Sequence, residues 1–124
     1  MVLICDAQPA DGTPDAVPEP VPIGDGLWAR ITPGCMAFHG DIDLLTERPF
    51  RCAVTTQARI QTGPLVLDLT GLRYLDSGGL GALYAMSKDP EVAFSVRIRA
   101  GSIIERVLVF SGLDRMLTLV RIEG

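Results

Sequence analysis

A short polar turn between two apolar segments carries the residues best suited to chemistry. Residues 76–79 read Asp-Ser-Gly-Gly, with an apolar strand-like run before them and apolar positions at helical spacing after them. We therefore predict that Ser77 is the N-cap of a helix, and that Gly78 and Gly79 leave the backbone of the helix start open. Because a helix N-terminus favours negative charge, an exposed hydroxyl here is suited to bind an anion or to accept a phosphate.

The elements that must position this turn follow from the hydrophobic periodicity. We predict strands at residues 27–32, 35–39, 65–69, 92–99 and 117–122, and helices at residues 47–61, 78–87 and 103–111. Pro-Gly at 33–34 predicts a hairpin, and Thr-Gly at 70–71 predicts a turn after the third strand. The order β-β-α-β-α-β-α-β predicts an α/β fold with a mixed central sheet, in which an N-terminal β-hairpin precedes largely parallel strands.

Two of these elements carry further expectations. The segment at 92–99 alternates apolar and polar residues, so we expect one face of this strand to be solvated, as in a strand near the sheet edge. Ser102 and Glu105 have the spacing of a capping box for the last helix, and we expect Ile103 and Ile104 in its first turn to point inward.

The composition describes one globular domain and excludes several functions. Of the 124 residues, 48% are hydrophobic and 21% are charged, and no apolar run is long enough for a membrane span or a secretory signal, so we expect a cytoplasmic protein. A net charge of −4 with scattered arginines argues against nucleic acid as a partner. His39 is the only histidine and the three cysteines lack paired spacing, so we expect reduced thiols, no metal site and no cofactor.

The N-terminal residues differ in composition from the remainder of the chain. Residues 1–24 form an extension rich in Pro and Asp that we expect to be partly disordered, and residues 25–124 form the folded domain. Within the extension, the apolar residues 1–5 either add an edge strand or are disordered.

Three segments of the chain resemble a known family. Residues 65–69 (Leu-Val-Leu-Asp-Leu) with the later Leu75-Asp-Ser-Gly-Gly-Leu-Gly resemble the central motif of the STAS domain, a family that includes bacterial anti-sigma factor antagonists. Residues 40–43 and 107–114 fit in the same order, so the resemblance covers residues 27–122. It implies a central sheet with helices mainly on one side. Family members commonly carry one more helix after the last strand, which we do not expect here, so that face of the sheet is either barer than usual or covered by the N-terminal extension.

The resemblance also implies a function based on protein contact. In anti-sigma factor antagonists, the serine after the motif aspartate is phosphorylated by the anti-sigma factor, which is itself a kinase, and this serine corresponds to Ser77. We therefore expect a protein that binds an anti-sigma factor, frees a sigma factor for transcription, and is switched off by phosphorylation of Ser77. The expected partner-binding residues are Asp43, Asp76, Ser77, Gly78, Gly79 and Leu80.

Several alternatives stay open at this point. Ser77 is either a phosphate acceptor or only a helix cap, and Asp43 either contacts the partner or only stabilises a turn. Gly78 stands where the family often has a second hydroxyl residue, so it either alters recognition by a kinase or marks a member that binds without being modified. The other candidate functions are a non-phosphorylated subunit of a stress sensor or lipid-transport assembly, and a nucleotide-binding STAS module.

We do not expect an enzyme. The lone His39 has no nucleophile at a readable spacing, and the glycine-rich turn lacks the dinucleotide fingerprint and the P-loop lysine. We expect a monomer or a weak dimer.

Overall fold

A computed structural model of the chain describes residues 18–123. It contains six strands, three helices and a short 3₁₀ turn, in the order β1 (Val21–Gly24), β2 (Leu27–Thr32), β3 (Cys35–Ile42), α1 (Glu47–Ile60), β4 (Leu65–Leu75), α2 (Ser77–Ser87), β5 (Phe94–Arg99), α3 (Ile103–Ser111), the 3₁₀ turn (Leu113–Arg115) and β6 (Leu119–Ile122). The predicted α/β fold with a mixed central sheet is confirmed.

The sheet places its strands side by side in the order in which they occur in the chain. β1, β2 and β3 pair antiparallel, whereas β3, β4, β5 and β6 pair parallel. The three parallel crossovers all step in the same direction, and because such crossovers are right-handed, their helices cover the same face of the sheet. This agrees with the expected helices on one side.

The core lies between this face and the helices. Alternate strand residues are fully buried there, among them Ala29 of β2, Phe38 of β3 and Leu67 of β4. The ring of Phe38 meets that of Phe50 in α1 edge to face, with 4.9 Å between the ring centroids and 75° between the ring planes. Such an aromatic pair contributes about 1 kcal/mol beyond its buried area.

The other face of the sheet, which we call the outer face, carries the residues that alternate with this core. Its side chains include Trp28, Arg30, His39, Asp68 and Arg97. Nη1 of Arg97 lies 3.2 Å from Oδ2 of Asp68, so neighbouring strands are joined by an ion pair there. β5 is the second strand from the edge and has one polar face, as its alternation predicts.

A strand occurs in the segment that the sequence analysis assigned to the N-terminal extension. β1 (Val21–Gly24) pairs with β2 along the edge of the sheet, with a register irregularity between Pro22 and Gly24. Proline is tolerated on an edge strand because its missing N–H faces away from the sheet, which explains why proline content alone misses this strand. The alternatives for residues 1–5 fall outside the described residues.

The predicted turn at 70–71 is wrong, because β4 continues through it to Leu75. The pairing of β3 with β4 shifts register between Ala37 and His39, and this bulge absorbs the Thr-Gly pair without ending the strand. A Cβ on Gly71 would lie 2.8 Å from Cε1 of His39, so the glycine makes room for the imidazole ring on the outer face.

Three smaller differences concern the ends of elements. β5 begins at Phe94 and β6 at Leu119, each two residues later than predicted. In α3, Ile104 is buried as expected, but Ile103 is 63% exposed because it follows the cap on the solvent side of the helix.

Candidate functional site

The helix α2 begins with a cap formed by Asp76. Oδ1 of Asp76 accepts hydrogen bonds from the backbone N–H of Gly78 at 2.8 Å and of Gly79 at 3.4 Å. The prediction that Ser77 is the N-cap is therefore wrong by one residue. Ser77 is instead the first residue of the helix, is exposed, and its hydroxyl makes no hydrogen bond to any described residue. The hydroxyl is left accessible at the positive end of α2.

The two glycines after Ser77 are buried by the end of β3 and the loop that follows it. A Cβ on Gly79 would meet the side chain of Leu75 and would lie 2.8 Å from Cγ2 of Ile42. A Cβ on Gly78 would lie 3.0 Å from the backbone of Leu44. The prediction that these glycines leave the helix start open is wrong, because they instead allow the loop to pack directly on the helix.

The loop between β3 and α1 is held in place by Asp43 and Thr46. Oδ1 of Asp43 accepts hydrogen bonds from the backbone N–H of Leu45 and of Thr46, both at 3.0 Å. The Thr46 hydroxyl is fully buried; it donates to the carbonyl of Asp41 at 2.9 Å and accepts the N–H of Asp43 at the same distance. The geometry shows that Asp43 stabilises this turn. Contact of Asp43 with a partner stays a prediction.

Exposed apolar side chains lie on the two elements that meet at the start of α2. Leu44 is 73% exposed and Leu45 is 82% exposed, although they belong to the ordered loop that packs on the helix start. Along α2, Gly81 and the partly exposed Tyr84 follow Ser77 at spacings of four and seven residues, so the three share one face. We call these five residues the Ser77 surface.

The sequence reasoning missed Leu44, Leu45 and Tyr84. A usable signal existed in Leu44-Leu45, because two adjacent leucines fit neither the strand before them nor the helix after them. The prediction from the sequence named Leu80 instead. This residue is half-buried and packs against the core. Gly78, Gly79 and Leu80 thus shape the Ser77 surface from beneath, and direct contact of these three residues with a partner stays a prediction.

The charges near the helix start are unevenly compensated. Arg73 forms two hydrogen bonds to the carboxylate of Asp41, at 3.0 and 3.1 Å, and these bonds raise the pKa of Arg73 above its ordinary value. Asp43 and Asp76 have no ion-pair partner within residues 18–123. Asp76 is stabilised by backbone N–H groups, and Asp43 by backbone N–H groups and by the Thr46 hydroxyl, which lies 3.2 Å from its Oδ1. The negative charge around Ser77 therefore comes mainly from Asp43 and Asp76.

The helix start has little capacity left to bind a ligand through its amides. The N–H groups of Gly78 and Gly79 already donate to Asp76, so a bound anion would have to displace that carboxylate. In the part of the chain that the structure describes, no three His, Cys, Asp or Glu side chains are arranged to hold a metal ion. Nor does any helix among residues 18–123 have the length and hydropathy needed to cross a bilayer. The arrangement can present the Ser77 hydroxyl to a macromolecular partner.

Comparisons with known proteins identify the family and the fold of the chain. A family model described as Mlab, STAS domain matches residues 30–121 of the chain. Among solved structures, the crystal structure of an anti-sigma factor antagonist from Mycobacterium paratuberculosis is similar, with a TM-score of 0.63 and 24% sequence identity over 86% of this chain and 87% of that chain. At this identity the likeness shows the fold. No curated protein matches the chain significantly.

Proposed function

Because the chain belongs to the STAS domain family, we propose that it is an anti-sigma factor antagonist, which binds an anti-sigma factor of the serine kinase type and thereby frees a sigma factor. The observation that carries the proposal is the Ser77 hydroxyl, which is exposed on the first residue of α2, takes no part in the cap and lies next to Gly78, on which a loop with exposed leucines packs. The proposal places the protein in the bacterial cytoplasm as a regulator of transcription, without catalytic activity of its own.

The proposed switch is the phosphorylation of Ser77 by its partner. The kinase transfers the γ-phosphoryl group of ATP to Oγ of Ser77, the hydroxyl proton is released, and ADP leaves. The product carries about −1.5 to −2 charges at pH 7, which the N-terminus of α2 tolerates because of the helix dipole. The fold of the phosphorylated protein is therefore expected to persist.

The same phosphate is unfavourable within the interface. A partner that packs on Leu44, Leu45 and Tyr84 removes water from Ser77, and a phosphate there lies near the carboxylates of Asp43 and Asp76. An uncompensated charge in an interface costs several kcal/mol, which corresponds to a loss of affinity of about two or three orders of magnitude. Modification by the partner is thus expected to end the binding to that partner.

The experiment that tests the proposal is intact-mass spectrometry with peptide mapping, after incubation with ATP and an anti-sigma kinase from the same genome. We expect a gain of about 80 Da that maps to Ser77. Ser77→Ala should gain no mass. Ser87→Ala is the matched control and should be modified like the wild type, because the Ser87 hydroxyl is engaged with the carbonyl of Tyr84 at the other end of α2. Tight binding without phosphate would indicate a constitutive antagonist instead.

A second candidate function is that of a non-phosphorylated subunit in a larger complex. The observation that favours it is the description of the matching family model, which names Mlab and not an anti-sigma factor antagonist. In this case the Ser77 surface is a permanent docking site, the protein copurifies with its complex, and Ser77 is found unmodified. The nucleotide-binding alternative has less support, since the amides of Gly78 and Gly79 are occupied by Asp76.

A further inference from the structure

The outer face of the sheet is not covered by any described helix, and it carries a large aromatic side chain. Trp28 alternates with the fully buried Leu27 and Ala29, so its ring lies on the outer face, where it is 43% exposed. Trp28 is also the only tryptophan in the chain. Its environment therefore reports on whatever covers this face.

The described chain enters the sheet over this same face. The side chain of Arg30 also alternates with the core residues of β2, and its Nε donates a hydrogen bond to the carbonyl oxygen of Pro18 at 3.1 Å. Pro18 is the first described residue and precedes β1 by three positions. The preceding seventeen residues thus connect to the fold at a point that is held beside Arg30.

Arg30 lacks an acidic partner within the described chain. Its Nη1 lies 3.5 Å from Nε2 of His39, and no described carboxylate comes within ion-pair distance of its guanidinium. The guanidinium of Arg97, on the same face, is paired with Asp68 instead. A half-buried cation next to an imidazole is stabilised by a nearby carboxylate.

The segment before Pro18 supplies the complementary charge. Residues 1–17 contain Asp6, Asp11 and Asp15 and no Lys, Arg or His, and their first five residues are apolar. Fully extended, this segment reaches roughly 55 Å at about 3.3 Å per residue. Six strands spaced about 4.8 Å apart give a sheet roughly 24 Å wide, so the segment is long enough to cross the face.

We propose that residues 1–17 lie across the outer face of the sheet, with their aspartates near Arg30 and their apolar residues over Trp28. The chain then covers its own exposed face and leaves the helix side available to a partner. The contact is independent of what binds at Ser77, because the Ser77 surface lies on α2 and on the loop after β3.

Fluorescence of Trp28 in the full chain tests this contact. In low salt we expect acrylamide to quench Trp28 at least about twofold more strongly in the triple variant Asp6→Asn, Asp11→Asn, Asp15→Asn than in the wild type. High salt should raise the quenching of the wild type to that of the triple variant, because it screens the charges. The matched control removes three carboxylates from α1, the loop before β5 and the 3₁₀ turn, as Glu47→Gln, Glu91→Gln and Asp114→Asn. This control should be quenched like the wild type.

The substitution Arg30→Gln separates the proposed contact from a local effect on Trp28. Introduced into the wild type, it should raise quenching by the same factor as the triple variant, and introduced into the triple variant it should add nothing. Equal quenching of the wild type and the triple variant in low salt overturns the proposal. Shielding of Trp28 that increases with protein concentration also overturns it, because a second copy of the chain would then cover the face.

Discussion

Oδ1 of Asp76 lies 2.8 Å from the backbone nitrogen of Gly78, and this hydrogen bond closes the start of α2 around the residue between them. The cap is made by the carboxylate of Asp76 and not by the hydroxyl of Ser77. The structural role and the proposed signalling role are thus divided between two adjacent side chains.

The first prediction concerns this division. Asp76→Ala removes the acceptor for the N–H groups of Gly78 and Gly79 and should lower the free energy of unfolding by about 1–2 kcal/mol. Ser77→Ala removes no cap and should change it by less than about 0.5 kcal/mol. Chemical denaturation of both variants gives the comparison, and a larger loss for Ser77→Ala would show that the serine is the cap after all.

The second prediction concerns the close packing of the helix start. Gly79→Ala places a methyl group against Leu75 and Ile42 and should destabilise the protein by about 1–3 kcal/mol. Gly81→Ala is the matched control two residues further along the same helix, where a Cβ meets open space. This control should stabilise the protein by about 0.5–1 kcal/mol, because alanine is the better helix former. Thermal unfolding of the pair should therefore give shifts of opposite sign.

The third prediction concerns charge at Ser77. Ser77→Asp should fold normally, since an acidic residue in the first turn interacts favourably with the helix dipole, yet it should lose most of its affinity for the anti-sigma factor. Circular dichroism and titration calorimetry measure the two properties separately. A folded Ser77→Asp protein that binds as tightly as the wild type would falsify the charge switch. For Ser77→Ala, the complex should form and should not be dissociated by ATP.

The fourth prediction concerns the apolar part of the Ser77 surface. Leu45→Ser should weaken partner binding by about tenfold while changing the free energy of unfolding by less than about 0.5 kcal/mol, because its side chain is exposed. Ile60→Ser is the control, since Ile60 is also exposed but lies at the opposite end of α1. Equal weakening by both substitutions would argue that the partner does not dock at the loop.

The fifth prediction concerns pH. The hydrogen bonds from Arg121 and from the N–H of Gly101 hold the pKa of Glu105 below its ordinary value of 4.5. Because the folded pKa is the lower one, this stabilisation is present above pH 4.5 and is lost as the pH falls through the folded value. Glu105→Gln should lower the Tm at pH 7, and its difference from the wild type should shrink steadily below pH 4.5. Arg121→Gln should show the same dependence, and a difference that grows in acid would contradict the assignment.

The sequence predicted the place of the candidate site but not its surface. Asp76 and Ser77 are both good N-cap residues, and the local pattern does not choose between them. The choice depends on contacts from elsewhere in the chain: the N–H of Asp76 donates to the carbonyl of Ile42 at 3.2 Å, and Gly79 packs on the same residue. The exposure of Leu45 was missed because a rule of burial by residue type places leucine inside, and only its position between β3 and α1 indicated otherwise.

The sequence predicted the fold well where periodicity is strong. α1 and α2 agree with their predicted ranges within one residue. The misses lie where tertiary pairing overrides local signals, as in β1, which contains Pro22, and in β4, which continues through Gly71. In both cases a shift in the register with the neighbouring strand accommodates the residue that is typical of a turn or linker. Such a shift cannot be predicted from the sequence of one strand, because it depends on the partner strand.

The agreement between strand order in the sheet and strand order in the chain has a consequence for how the protein is made. Each described strand pairs only with its neighbours in sequence, so within residues 18–123 the first and the last strand do not pair. During synthesis, β1 to β3 can pair as soon as they leave the ribosome, and each later helix and strand then adds to one growing edge. No early strand has to wait for a distant partner, which shortens the time during which nascent apolar edges are open to aggregation.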